Sequence, residues 1–217
     1  MASNYTLANA AVMSRKGTGA RRAQLDAFEG TSRAADALPK GFAYQPAIIT
    51  PEQERHLLHH IANLPFQAFQ FRGVEGNRRT VSYGWRYDFN AQKLQEAEPI
   101  AEFLRPVREI GARFAGLEPD ALEQVTVLEY SPGSAIGWHR DRPMFGDVVG
   151  ISLVSPTRFR FRRRTGTTWE RASLMVEPRS IYLLRGPARD EWEHSIPPVD
   201  TLRYSITMRT FRRGDTS

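Results

Sequence analysis

The stretch Gly137-Trp138-His139-Arg140-Asp141 decides which fold the sequence predicts. Successive side chains of an extended segment point to opposite faces, so His139 and Asp141 share a face with Cα atoms about 7 Å apart. His194 offers a second imidazole later in the chain. Two imidazoles and one carboxylate on one side of a metal ion leave other positions open, which suits non-haem Fe(II) acting on O2. A His-x-Asp pattern is weak by itself, because such a histidine is more often a core or surface residue.

Independent support comes from the segment between Arg203 and Arg209. As a strand, it places Arg203, Ser205, Thr207 and Arg209 on one face and Tyr204, Ile206 and Met208 on the other. An amphipathic strand with its arginines in water is the simpler interpretation when such a strand stands alone. Here it closely follows a candidate metal ligand, and a planar guanidinium is suited to bidentate capture of a carboxylate.

These motifs, taken in their order, resemble those of the AlkB-type 2-oxoglutarate- and Fe(II)-dependent dioxygenases. The segment 125–130, followed by Pro132-Gly133, is similar to the family strand before the metal site. The segment 79–84 is similar to the entrance of the family's substrate lid. The resemblance covers roughly residues 39 to 212, and the ordered set is far more specific than any one motif.

The fold class that follows is α+β: a double-stranded β-helix (jelly roll, cupin-like) core with N-terminal helices packed on one sheet. Thr50-Pro51-Glu52-Gln53 forms a capping box, so a helix is expected over about 51–64. A second helical region is expected over about 97–116, interrupted or kinked at Pro106. From Val125 onwards, eight strands are expected at about 125–130, 136–141, 148–154, 158–163, 172–177, 180–185, 192–196 and 203–211.

The resemblance also implies the cofactors and the residues that bind them. Fe(II) would be held by His139, Asp141 and His194, leaving room for O2. The cosubstrate 2-oxoglutarate would be bound by Arg203, Arg209, Tyr130 and Ser205. Leu128 and Ser205 stand where many relatives carry asparagine, so the cosubstrate contacts are expected to differ in part.

The substrate implied is an alkylated nucleic acid, single-stranded or with its base flipped into the site. The activity would be oxidative demethylation of N-alkylated bases in DNA or RNA, as in alkylation damage repair, with release of formaldehyde. Tyr83, Trp85, Tyr87 and Phe89 alternate and would share one face as a stacking platform for bases; Arg78 and Arg79 would meet phosphates, and Arg160 and Arg162 would form a backbone-binding stripe. Core packing of the aromatic residues and a charge-blunted edge strand are the simpler alternatives.

Two other functions stay open at this stage. Arg142-Pro143-Met144 follows Asp141 without the acidic residue that the well-known repair members place there to contact the damaged base. The same chemistry on a methylated protein or another substrate is therefore one alternative. A non-catalytic nucleic-acid-binding jelly roll is the other, and the complete set of ligands with both arginines argues against it.

Composition sets the outer bounds. A chain of 217 residues, 41% of them hydrophobic, suits one domain, expected at 39–213, after a disordered tail at 1–38. The absence of cysteine excludes disulfides and thiolate-bound zinc. No apolar run approaches the length of about 20 residues that spans a bilayer. We expect a cytoplasmic monomer without membrane attachment.

The net charge of +6 lies entirely in residues 158–217, which hold 13 arginines against 7 acidic residues. A clustered basic patch is typical of proteins that bind polyanions such as nucleic acid. The excess of 27 arginines over 3 lysines is equally consistent with an arginine-rich coding bias.

Overall fold

Strands dominate residues 38–71, 74–88 and 91–212, which are the residues that the computed structural model describes. The strands are β1 (Phe42–Gln45), β2 (Gln67–Phe71), β3 (Val74–Tyr83), β4 (Trp85–Asp88), β5 (Lys93–Glu96), β6 (Gln124–Tyr130), β7 (Ile136–His139), β8 (Phe145–Leu153), β9 (Thr157–Thr165), β10 (Thr168–Val176), β11 (Ile181–Leu184), β12 (Glu193–Ile196) and β13 (Arg203–Phe211). The helices are α1 (Pro51–Ile61), α2 (Arg105–Ala115) and the short α3 (Pro187–Asp190), with 3-10 turns at Glu102–Leu104 and Pro119–Ala121.

The strands form two main sheets whose inner faces share one apolar layer. The larger sheet has the order β1-β11-β8-β13-β6-β3-β2, and the smaller has the order β10-β9-β12-β7. Every strand pair in them is antiparallel. Phe159 and Phe161 of β9 pack between the sheets with Tyr130 and Tyr182 of the larger one. The predicted jelly roll is therefore confirmed.

Strand β13 lies in the middle of the larger sheet, between β6 and β8, and shows how alternation separates chemistry from packing. Its apolar residues, Ile206 and Met208, are fully buried in the core on the helix side. Arg203, Ser205 and Thr207 alternate with them and are buried on the opposite face. The sequence pattern of this strand thus delivers its polar residues to the space between the sheets.

Both longer helices cover the outer face of the larger sheet, as expected for helices packed on one sheet. Helix α1 begins with the predicted capping box, in which Thr50 and Gln53 each accept a hydrogen bond from the other's backbone N–H. Helix α2 approaches β13 closely at Gly111, where an added Cβ would lie 2.6 Å from the Met208 methyl group. Pro106 does not kink α2, because it lies in the first turn, where the missing N–H needs no partner.

The aromatic run after Arg79 does not form one continuous face. Tyr83 ends β3 and is only 8% exposed, inside the core beneath the helices. Gly84 then turns the chain with φ +70, and an added Cβ there would lie 2.2 Å from the Glu123 carbonyl oxygen. Trp85 and Tyr87 belong to β4, which pairs with β5 in a separate two-stranded sheet. The expectation of one shared face was wrong, and Phe89 lies outside the described residues.

The tail predicted at residues 1–38 lies outside the described residues, except for Leu38 itself. The domain boundaries at 39 and 213 stay a prediction. Within the ranges that the structure describes, no helix is both long and apolar enough to cross a membrane.

Candidate metal and cosubstrate site

Three predicted ligands converge between the two sheets. His139 of β7 lies directly opposite His194 of β12 in the strand register, and their ring centroids are 4.3 Å apart. Asp141 Oδ1 lies 3.5 Å from His139 Nε2 and 3.7 Å from His194 Nε2. One ligand atom from each residue falls within 4.8 Å of the others, so a single ion can contact all three.

The surroundings of the two imidazoles orient them toward a shared metal position. His139 Nδ1 lies 2.9 Å from the Gly137 carbonyl oxygen, and a proton donated there leaves Nε2 free to bind a metal. His194 stacks on Phe159 with the rings 13° from parallel. Burial, and then the neighbouring His139, Arg209 and Arg189, lower the pKa of His194 to about 3. The ring therefore enters the site without the proton that would block coordination.

Asp141 is held as a carboxylate by Arg209. Burial by itself would raise the pKa of Asp141, but the charge of Arg209 is the largest opposing influence, and that pKa lies well below its usual value. Arg209 Nε donates to Asp141 Oδ2 at 2.6 Å, and its Nη1 donates to Gln124 Oε1 at 2.8 Å. Arg209 thus binds Oδ2 of Asp141, while Oδ1 faces the two histidines.

Arg203 supplies an observation that points to a bound carboxylate. Its side chain is completely buried, its Nε donates to Ser152 Oγ at 3.2 Å, and its guanidinium carbon lies 4.8 Å from the Tyr130 ring centroid. Nη1 and Nη2 are buried without a hydrogen-bond partner among the described residues. Buried donors of this kind are nearly always satisfied, and a carboxylate matches the guanidinium fork. The residues present thus fit 2-oxoglutarate beside Fe(II), with O2 as the third reactant.

A small cavity with a volume of about 40 Å³ lies beside these groups. It is lined by the three metal-ligand candidates together with Leu128, Tyr130, Ile136, Val148, Phe159, Tyr182, Leu184, Ile196, Thr207 and Arg209. Leu128, in place of an amide side chain, gives this wall an apolar surface. Ser205 is 1% exposed on the inward face of β13, between Leu128 and Ser152 in the register, and its contact with the cosubstrate stays a prediction.

Tyr182 is a cavity residue that the sequence analysis missed. Its ring crosses Gly150, where an added Cβ would lie 2.1 Å from the Tyr182 Cζ, so only glycine leaves room for it. Burial raises the pKa of Tyr182, and the neighbouring Arg203 opposes that effect. The sequence shows Tyr182 alternating with Ile181 and Leu183 in a strand, but alternation does not show which face of the strand lines the cavity.

Arg189 is a second residue that was missed, and it fixes the loop that carries Asp141. It lies in α3 and is only 5% exposed. Its guanidinium donates to the carbonyl oxygens of Arg142 at 2.7 Å, Phe145 at 2.9 Å and Gly146 at 3.1 Å. Three charge-assisted bonds to one short loop restrain the backbone immediately after the metal-ligand candidate.

The candidate substrate residues divide between the two faces of the larger sheet. Arg78 lies opposite Tyr130 in the register, on the face of the metal ligands, and burial lowers its pKa while Tyr130 and Asp141 oppose that shift. Arg79 points the other way and forms a bidentate ion pair with Glu129, at 2.7 and 2.9 Å. The two adjacent arginines thus face opposite sides of the sheet, and their contacts with phosphates stay a prediction.

The other substrate candidates lie outside the cavity. Tyr87 stacks under the guanidinium of Arg142, whose carbon lies 4.4 Å from the ring centroid. Trp85 contacts Phe211 edge-on at 5.7 Å. Arg160 and Arg162 lie on the outer face of the smaller sheet, where Arg162 pairs with Glu193 at 2.5 Å and both flank Trp138. The roles of these residues in substrate binding stay predictions.

Comparison with known proteins agrees with this geometry. The model of the 2OG-Fe(II) oxygenase superfamily matches residues 41–210, which include all three metal-ligand candidates, Arg203 and Arg209. A solved structure described as "The structure of OsALKBH1" superposes with a TM-score of 0.63 over 80% of this chain and 99% of that one. At 13% identity this likeness shows the fold.

Two relatives show which branch of the superfamily is similar. The "Alkylated DNA repair protein ALKBH8 homolog" of Arabidopsis thaliana is 27% identical over 199 residues, covering 80% of this chain and 56% of that protein. The "Alpha-ketoglutarate-dependent dioxygenase alkB homolog 7, mitochondrial" of Bos taurus is 35% identical over 126 residues, covering 56% of this chain and 57% of that protein. The chain thus spans little more than half of these relatives. The chain therefore belongs to the 2OG-Fe(II) oxygenase superfamily, and the relatives named here, to which it is similar, come from the AlkB branch.

Proposed function

We propose that the protein oxidatively demethylates N-alkylated bases in DNA or RNA, as in repair of alkylation damage. In the overall reaction, an N-methyl base, 2-oxoglutarate and O2 give the unmethylated base, formaldehyde, succinate and CO2. One relative is named for repair of alkylated DNA, which supports this substrate class. The cytoplasmic location and the monomeric state stay predictions.

The observation that carries the proposal is the position of the β4–β5 hairpin beside the metal ligands. Tyr87 of β4 stacks on Arg142, which directly follows Asp141. Trp85 contacts Phe211, which contacts Phe145 at 5.4 Å, and Arg209 lies over the Phe145 ring at 5.3 Å. Aromatic rings and arginine planes next to an oxidising centre are the groups on which an extruded base stacks.

The chain's own groups bind and orient the reactants. Arg203 offers to a carboxylate of 2-oxoglutarate the two nitrogens that lack a partner among the described residues, and Ser152 accepts a hydrogen bond from its Nε, which orients the guanidinium. Leu128, Ile136 and Ile196 line the cavity and exclude water from it. When bound, the iron and cosubstrate supply the oxidising power for hydroxylating the methyl group.

The substrate assignment is tested with a panel of oligonucleotides bearing N-methylated bases and a matched panel of methylated peptides. With Fe(II), 2-oxoglutarate and O2 present, we expect formaldehyde and loss of the methyl mass from at least one methylated oligonucleotide. The same sequence without the methyl group, and the His194→Ala variant, serve as controls. Turnover of a peptide with no turnover of any oligonucleotide would instead establish the protein-substrate alternative.

The hairpin gives a further prediction. Tyr87→Ala removes the ring that stacks on Arg142, and it should weaken binding of a methylated single-stranded oligonucleotide by about 1 to 3 kcal/mol, the range for one stacking partner. Tyr87→Phe keeps the ring and should bind like the wild type. Fluorescence anisotropy measures both variants, while succinate formed without substrate should stay at the wild-type rate. Equal oligonucleotide affinity of Tyr87→Ala and the wild type would show that the ring only packs the loop.

A further inference from the structure

Among the described residues, no helix packs on the outer face of the smaller sheet, and this face carries many arginines. The larger sheet carries α1 and α2 on its outer face, whereas every outward side chain of β10, from Trp169 to Met175, is exposed. Strand register places arginines of β9 and β10 side by side, with Arg162 opposite Arg171. We call the outward arginines the basic face, and they are Arg158, Arg160, Arg162, Arg164 and Arg171.

Most arginines of the basic face hydrogen-bond to neutral oxygens and not to carboxylates. Arg162 pairs with Glu193, but within the described chain the hydrogen bonds of the other four go to neutral oxygens: the hydroxyls of Ser173 and Ser195 and the carbonyls of Gly166 and Trp169. Some other surface arginines have carboxylate partners, such as Arg105 with Glu102 and Arg185 with Asp147, whereas Arg86 and Arg140 also bond to neutral oxygens. The basic face thus keeps a positive charge that ion pairs among the described residues do not cancel, which favours a polyanionic ligand.

Aromatic rings lie among these charges. The Arg162 guanidinium is sandwiched between Trp138 and Trp169, with its carbon 4.6 and 4.4 Å from the two ring centroids. Trp169 is 38% exposed, an unusual exposure for so large an apolar side chain. Flat rings interleaved with arginines on an open sheet are the surface on which single-stranded nucleic acid stacks its bases and pairs its phosphates.

The basic face and the iron site lie on the two sides of one sheet and meet at its edge. Strand β7 is the last strand of the smaller sheet. Trp138 and His139 are neighbours in β7, so one side chain points to the basic face and the other to the metal site. A single-stranded nucleic acid whose target base occupies the cavity would need to cross only β7 to reach the basic face.

We propose that the basic face binds the unmodified nucleotides flanking the target base of a single-stranded nucleic acid. The proposal rests on the nucleic-acid function above and adds where the rest of the strand lies. It separates two requirements: the cavity selects the methylated base, and the basic face supplies affinity that is independent of methylation.

The test uses an unmethylated single-stranded oligonucleotide of about 16 nucleotides, the upper end of the site sizes of single-strand-binding folds. Binding is measured by fluorescence anisotropy across a range of salt concentrations. Arg158→Gln/Arg171→Gln should flatten the slope of log affinity against log salt by about 1.4, or about 0.7 for each phosphate that is no longer neutralised. Trp169→Ala should weaken binding about 5- to 150-fold at fixed salt, because one stacking ring is removed.

The matched control, Arg105→Gln/Arg113→Gln, removes the same charge from α2 and should keep the wild-type slope. Circular dichroism melts verify that each variant is folded. Unchanged slope and affinity in both basic-face variants would overturn the proposal. So would equally tight binding of inorganic polyphosphate, because that ligand has no bases to stack.

Turnover of a methylated mononucleoside, which is too small to reach the basic face, separates this proposal from the proposed function. Normal turnover in the variants with weakened oligonucleotide binding supports both. Turnover of the mononucleoside together with unchanged oligonucleotide binding rejects the basic face alone. Weakened binding without turnover of any methylated base supports the basic face and rejects the demethylase assignment.

Discussion

The Asp141→Asn and His194→Ala variants are expected to lose both stoichiometric Fe(II) binding and all formation of succinate from 2-oxoglutarate. Each removes one of three ligand atoms that lie within 4.8 Å of one another. Asn keeps the size of Asp141 but removes the negative charge that balances the metal. Anaerobic titration with Fe(II) measures the first loss, and succinate detection measures the second.

Asparagine is preferred to alanine at position 141 because its amide oxygen can still accept the hydrogen bond that Arg209 donates to Asp141. The side chains of Asp141 and Arg209 are 6% and 16% exposed, and deleting one partner of such a buried pair typically costs about 3 to 5 kcal/mol of stability. Asp141→Ala would therefore combine loss of metal with partial unfolding. His59→Ala and Asp200→Ala, which change the same residue types at exposed positions, should keep full metal binding and turnover. Full Fe(II) occupancy in Asp141→Asn or His194→Ala would disprove the assignment of the metal site.

The second large effect is expected at Arg203. Arg203→Ala deletes the two buried nitrogens that lack a partner among the described residues, and it should weaken 2-oxoglutarate binding by about 1.5 to 3 kcal/mol, the range for hydrogen bonds to charged groups. Metal affinity should change little, because Arg203 does not contact the three ligands. Titration of 2-oxoglutarate into the Mn(II)-loaded protein without O2 measures the cosubstrate affinity alone.

Arg203→Lys separates charge from geometry. Lysine keeps the positive charge but lacks the planar fork, so we expect only part of the cosubstrate affinity to return. Arg105→Ala, at an exposed ion pair on α2, is the control for removing an arginine. If Arg203→Ala binds 2-oxoglutarate as tightly as the wild type, its buried nitrogens serve the fold and not the cosubstrate.

The sequence pointed to three side chains that the structure brings together, because alternation is local and the order of the motifs added the distant His194. His139 and Asp141 share a face by local geometry, and the polar residues of β13 do so as well. Their supporting partners were not predictable in this way. Gln124 and Ser152 reach Arg209 and Arg203 only through the register of β6 and β8 against β13, which a single sequence does not specify. Arg189 likewise depends on where α3 meets the loop after Asp141.

The predicted and observed positions of the substrate candidates differ because alternation along a strand carries limited information. Alternation correctly separates Arg78 from Arg79, but it does not state which of the two faces meets the cavity. Tyr83 and Trp85 belong to one alternating pattern in the sequence, yet the positive φ of Gly84 divides them between a core strand and a separate hairpin. The alternation of side chains in one strand therefore does not continue through a glycine turn into the next strand.

The edge position of β7 also has a thermodynamic consequence. Within the described part of the chain, β7 pairs with β12 alone, and unpaired edges are where sheets open most readily. An ion that bridges His139 and His194 cross-links the outermost strand to its only neighbour. Its binding free energy therefore adds to the free energy of local opening, as for any ligand specific to the closed form. Amide hydrogen exchange in β7 should consequently slow when a metal ion is bound, so that a bound iron would reversibly stabilise the sheet edge.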